Sequence, residues 1–137
     1  MVLLDSSVLT EMLKAKPDGK VEAWLAAQPA ASVFVSTIAE AELRQAAMLL
    51  SERRRGEMMG IIDGIFREDF AGRVLPFDSF AAAAYAQIIF DCRTAGKGIV
   101  QLDAMVAGIA RSRGARLATK NVEGCGVEVV DPWKYGA

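Results

Sequence analysis

Three carboxylates stand in the chain where a charge needs a reason: Asp5, Glu42 and Asp103. Asp5 follows Val2-Leu3-Leu4, an apolar run that reads as a fully buried strand, and precedes Ser6-Ser7, where a helix can start. It can cap that helix, hold a ligand, or do both; Ser6 or Ser7 would cap without a charge. Glu42 lies about one and a half turns into a helix, beside Ala39, Ala41 and Leu43. Glu40 is two residues away, roughly 200° around that helix, so the two acids cannot face one site. Solvent exposure, a helical salt bridge or a shared ion each accounts for Glu42. Asp103 occurs in Ile99-Val100-Gln101-Leu102-Asp103-Ala104-Met105-Val106-Ala107, where a carboxylate is costly unless paired or bound to a cation. As a first-turn acid it also gains from the helix dipole. Gathered in one pocket the acids would repel: two carboxylates ~4 Å apart cost about 4 kcal/mol at an effective dielectric of about 20. A divalent cation removes that repulsion and gives the cluster affinity for phosphate oxygens.

No histidine occurs among the 137 residues. General acid–base work by imidazole, Ser-His-Asp chemistry and most zinc or iron sites are thereby removed. Cys92 and Cys125 are too few and too far apart for a metal knuckle and are expected as reduced thiols. Carboxylates, hydroxyls, Lys and Arg remain, an inventory suited to a hard ion such as Mg²⁺ or Mn²⁺.

The elements that must position these groups fit one domain over residues 1–137, long enough to bury its own core. With 53% hydrophobic and 24% charged residues the chain is not disordered, and its short apolar runs exclude a membrane span. Aromatics at 7% argue against base-stacking platforms, and a net charge of −1 against general polyanion coating, though a local basic patch stays open. Met1-Val2-Leu3-Leu4-Asp5 carries no secretory pattern, so a cytoplasmic protein is expected.

Short strands are expected at Val2–Leu4, Ser32–Val35, Arg73–Phe77, Ala115–Ala118 and Val127–Val130. Helices are expected from Ser6, over Val21–Gln28, from Thr37, from about 51 to Phe70, from Asp78 or Ser79 to about Ala95, and over Val100–Ser112. Thr37 with Glu40 reads as a capping box. Strands alternating with helices predict an α/β fold: a three-layer αβα sandwich around a short, mostly parallel five-stranded sheet. Ligands then bind beyond the carboxyl ends of the strands, where Asp5 lies. Arg53-Arg54-Arg55 suits either an RNA phosphate or a solvated helix turn, and Met58-Met59 either a partner groove or core packing.

Several segments, in order and over nearly the full length, resemble PIN-domain proteins, specifically VapC/FitB-type toxins of type II toxin–antitoxin pairs. They are Leu3-Leu4-Asp5-Ser6-Ser7-Val8-Leu9-Thr10-Glu11, similar to the family's LLDTNVLSE; Ser36-Thr37-Ile38-Ala39-Glu40-Ala41-Glu42-Leu43-Arg44; and Leu75-Pro76-Phe77-Asp78. Leu102-Asp103-Ala104-Met105-Val106-Ala107, Leu117-Ala118-Thr119-Lys120-Asn121-Val122 and Val129-Val130-Asp131-Pro132-Trp133 complete the set. The resemblance implies a Mg²⁺- or Mn²⁺-dependent endoribonuclease acting on RNA, with Asp5, Glu42 and Asp103 as its acids. It also implies a homodimer and a small cognate antitoxin through which DNA is bound. Ser7, Thr119 and Asn121 fall in supporting positions, and Arg44 and Lys120 flank the site as candidate RNA contacts.

Two departures follow from the same comparison. Ser7 stands where the family carries Asn, a shorter hydrogen-bonding reach. Asn121-Val122 runs into Glu123-Gly124-Cys125-Gly126, where the family often places a fourth acid. Asn121 could still offer an oxygen and Glu123 could swing in. The second departure opens a rival reading, a catalytically degenerate PIN domain acting as an antitoxin-binding or DNA-regulatory partner. A phosphoryl-receiving signalling domain would need paired acids at the first strand, which are absent, and no G-x-G-x-x-G supports a dinucleotide fold.

Overall fold

The computed structural model describes residues 1–120 and 126–136. Five strands are present among them: β1 (Val2–Leu4), β2 (Val33–Ser36), β3 (Val74–Leu75), β4 (Arg116–Ala118) and β5 (Val129–Val130). They form one sheet in the order β3-β2-β1-β4-β5, with every neighbouring pair parallel. The helices are α1 (Ser6–Met12), α2 (Gly19–Ala26), α3 (Thr37–Met48), α4 (Glu52–Gly64), α5 (Ser79–Thr94) and α6 (Gln101–Ser112).

The layers follow from the alternation of side chains along β1. Val2 and Leu4 point into a core shared with Val8, Trp24, Leu43 and Ile62, from α1 to α4. Leu3 points the other way, into a core with Ile88, Ala104, Ala107 and Ile109 of α5 and α6. An unbroken apolar run is what a central strand covered on both faces requires. The expected αβα sandwich is therefore the observed one. No described helix is long and apolar enough to cross a membrane.

The α5–α6 contact is close because α6 carries Gly108. A Cβ there would lie 2.8 Å from the Ala81 carbonyl oxygen and 3.1 Å from the Tyr85 amide nitrogen. Both are backbone atoms, so relief requires a helix to move. Gly108→Ala is expected to destabilise the protein by about 1–3 kcal/mol, as overpacked cores do, measured as a lower midpoint in urea.

Two local expectations need correction. The long helix is capped by Ser36, whose Oγ accepts from the Ala39 N–H at 3.1 Å, and not by Thr37. With the cap one residue earlier, Glu40 falls a position beyond the one that reaches back to the cap. Its carboxylate meets Arg44 at 2.9 Å instead. The helix expected to run to about Phe70 does so, leaving α-geometry after Gly64 and finishing as a π-turn over Ile65–Asp69, closed by Phe70 N–H donating to the Ile65 carbonyl at 2.9 Å. Cys92, on the buried face of α5, is disulfide-bonded and not a thiol; Cys125 lies outside the described residues. Spacing alone does not forecast a pairing.

Candidate functional site

β1 is the pivot of the sheet. The chain leaves it for β2 and β3 on one side and returns to β4 and β5 on the other, which leaves a crevice beyond the strand ends. Asp5 closes β1 there, and its backbone N–H donates to the Ala118 carbonyl at the end of β4 at 3.1 Å. The cap expected of this residue is observed. Its Oδ1 caps α1, accepting from the N–H groups of Ser7 at 3.0 Å and Val8 at 3.3 Å, and takes the Ser7 hydroxyl as well. The Thr119 hydroxyl is a further partner of the same carboxylate.

α3 brings Glu42 and the first turn of α6 brings Asp103. Asp5, Glu42 and Asp103 line one small cavity together with Ser6, Val106, Leu117 and Thr119. Its free volume is about 20 Å³, room for one water-sized occupant. The apolar walls keep solvent thin. Burial raises the Asp5 carboxyl above its ordinary value, opposed by the bonds from Ser7, Thr119 and the Val8 amide. Glu42 is raised too, first by burial and then by the charges of Asp103 and Asp5. Ser6 opposes that shift by donating its hydroxyl to Glu42 Oε2 at 3.1 Å.

The donors suit a hard cation: anionic oxygens crowded enough that Asp103 and Asp5 disturb the ionisation of Glu42. Among the described residues no three carboxylates stand close enough to grip one ion simultaneously. Magnesium does not require that, since it usually takes one or two protein carboxylates and fills its other positions with water and substrate phosphate.

The flanking residues divide. Ser7 joins the ends of β1 and β4, its hydroxyl donating to Asp5 while its oxygen accepts from the Lys120 N–H at 3.2 Å. Arg44 is engaged elsewhere: its guanidinium meets Glu40 and Asp63, each at 2.9 Å, and ties α3 to α4. Asn121 and Glu123 lie outside the described residues. Ser6, expected only as an alternative cap, donates instead to Glu42. Its position after an acid at a strand-to-helix junction was the available signal. Ser6→Ala frees the Glu42 carboxylate to rotate, and is expected to lower any activity of the site by about 10- to 100-fold, the range for groups that orient a ligand. Initial rates at saturating divalent ion would measure it.

Comparison with known proteins places these features in a group. Residues 2–123 match the PIN domain family model. The chain is 36% identical to the VapC ribonuclease Y4jK of Sinorhizobium fredii, over 98% of this chain and 99% of that one. It is 36% identical to the toxin FitB of Neisseria gonorrhoeae, over 97% and 99%. The fold also superposes on a chain from the structure of FitAB bound to an IR36 DNA fragment, with a TM-score of 0.91, 33% identity, and coverage of 100% of this chain and 99% of that one.

Proposed function

The chain belongs to the PIN-domain family, and from that premise we propose that it is a divalent-metal-dependent endoribonuclease, the toxin of a type II toxin–antitoxin pair, formed by one domain spanning residues 1–137. The observation that carries this reading is the meeting of Asp5, Glu42 and Asp103, from β1, α3 and α6, in one cavity at the strand ends. Similarity to a VapC ribonuclease and to the toxin FitB supports it. Likeness to a FitAB complex with DNA supports a small antitoxin partner that carries the DNA contact, and a homodimer is part of the same reading.

Asp5, Glu42 and Asp103 would hold the Mg²⁺ or Mn²⁺ ion. The ion supplies charge that polarises a phosphodiester and lowers the pKa of water. The chain's own part is orientation and proton transfer. Ser7, Thr119 and the amides of α1 fix the Asp5 carboxylate, and Ser6 fixes Glu42. Glu42, lining the cavity and oriented by Ser6, is placed to take a proton from the attacking water.

Cleavage of single-stranded RNA with Mg²⁺ or Mn²⁺, abolished by chelator, is the direct test; no cleavage with any divalent ion would defeat the reading. The missing fourth acid favours a second reading, a degenerate domain that binds its partner without catalysis. There, Mn²⁺ would bind no better than to a chain lacking both Asp5 and Asp103.

A pH-dependent consequence follows. Asp5 and Glu42 have higher pKa values folded than unfolded, so the folded state holds more protons through that interval. Metal-free stability then falls as pH rises through the folded values, whereas an ion prefers the deprotonated carboxylates. The gain in melting temperature on adding Mn²⁺ is expected to grow from acidic to neutral pH. Thermal melts across a buffer series check this; a gain independent of pH would remove these two acids from the ion.

A further inference from the structure

A second depression adjoins the acidic cavity and shares Ser6 as its wall. Ser7, Glu11, Lys14, Lys120 and Trp133 line it, around a free volume of about 240 Å³. Its charge is opposite in sign. Glu11, only 7% exposed, is matched by Lys14 at 2.8 Å. Among the described residues that line it, Glu11 and Lys14 pair with each other and Lys120 adds a positive charge that makes no ion pair with any of them. The exposed ammonium sits 5.4 Å from the centre of the Trp133 ring, whose face attracts a cation. The ring is fixed in turn. Trp133 packs on the core with its partly buried face, and Glu11, which also takes the Asp18 N–H at 3.0 Å, is hydrogen-bonded to it.

The backbone couples the two pockets. Lys120 follows Thr119, which bonds Asp5, and the Lys120 amide donates to the Ser7 hydroxyl that also meets Asp5. A cation is thus set at fixed register beside three acids. A strand cut at the acids places its next phosphate outside the cavity, where an anion needs a positive partner.

We propose that this groove seats the RNA phosphate adjacent to the one being cleaved, with Lys120 as its ligand and Trp133 as the positioning residue that holds the ammonium in place. The inference rests on the hydrolytic reading of the acidic cavity. The groove sets the register of the strand and contributes to binding more than to the chemical step.

The test uses a short, fluorescently labelled, mixed-sequence single-stranded RNA and the full chain carrying Asp5→Asn, which keeps the strand intact. Anisotropy titrations are run over a series of salt concentrations. In that background Lys120→Gln is expected to weaken binding about tenfold and to reduce the slope of log K against log salt by about 0.7, the value of one phosphate contact on a single strand. Lys120→Arg should restore the slope. Trp133→Leu should cost roughly threefold, provided its melting temperature shows the fold retained, since the lysine then keeps its charge and loses its register. In the otherwise native chain Lys120→Gln should raise KM several-fold and leave kcat within about twofold, the pattern for uniform binding. An unchanged salt slope, or a loss confined to kcat, overturns the proposal. Failure of the hydrolytic reading is separately visible: the native chain would cut nothing with any divalent ion, while the Lys120-dependent slope would persist as an RNA-phosphate contact without catalysis.

Discussion

Asp5→Asn is expected to reduce RNA cleavage by more than about 100-fold, beyond the range for residues that only orient a ligand, while leaving the protein folded. The two halves of that outcome come from the two roles of one side chain. As an N-cap, Asp5 offers Oδ1 to the amides of Ser7 and Val8, and Asn caps a helix about as well as Asp does. The helix start therefore survives. As a carboxylate in a half-buried cavity, Asp5 carries a charge that burial disfavours, and removing it relieves the fold of that cost. What disappears is one anionic oxygen for the ion and one unit of the field that holds it. Asp5→Ala is the contrasting change, because it deletes the cap and is expected to cost about 1 kcal/mol of stability as well. Initial rates measured with urea melts on both variants separate the effects. Cleavage by Asp5→Asn within about tenfold of native would show that the first strand's acid is a cap and nothing more.

How much of this was legible beforehand depends on the range of the signal. Val2-Leu3-Leu4 announces a strand buried on both faces because nothing polar interrupts it, and the structure sends its residues alternately into two cores. The carboxylates were conspicuous because apolar neighbours leave an acid few ways to be satisfied. Where two similar residues compete, sequence is a weaker guide. Ser36 and Thr37 can each cap, and the choice falls to the one that finishes β2, which the next helix must leave. Arg44 lies near Glu42 in the chain but on another side of α3, so its partners are Glu40 on its own helix and Asp63 on α4. The second of these depends on how α3 and α4 pack, which no local pattern states. Ser6, the Glu11–Trp133 contact and the disulfide bond of Cys92 belong to the same class. Each is a pairing across chain separation or a choice between neighbours of one type.

Glu42→Gln should separate stability from activity more sharply than any other substitution. In the metal-free chain the Glu42 carboxylate is disfavoured by burial and by the charges of Asp103 and Asp5. Gln has nearly the same shape, and its amide can present the carbonyl oxygen to the Ser6 hydroxyl that now donates to Oε2 at 3.1 Å. The substitution therefore keeps the bond and deletes the repulsion, and the metal-free variant is expected to melt at or above the native temperature near neutral pH. Below the folded pKa of Glu42 the native side chain is already neutral, so the advantage should vanish in acid. Cleavage is expected to fall by more than about 100-fold, because an amide neither accepts the proton of an attacking water nor supplies charge to an ion. Adding Mn²⁺ should then reverse the order of stability: the native chain gains and the variant gains little. That crossing is the decisive measurement. A carboxylate placed there for folding would be missed when neutralised, with or without metal, whereas one whose cost is offset only by a cation is missed only when the cation is present.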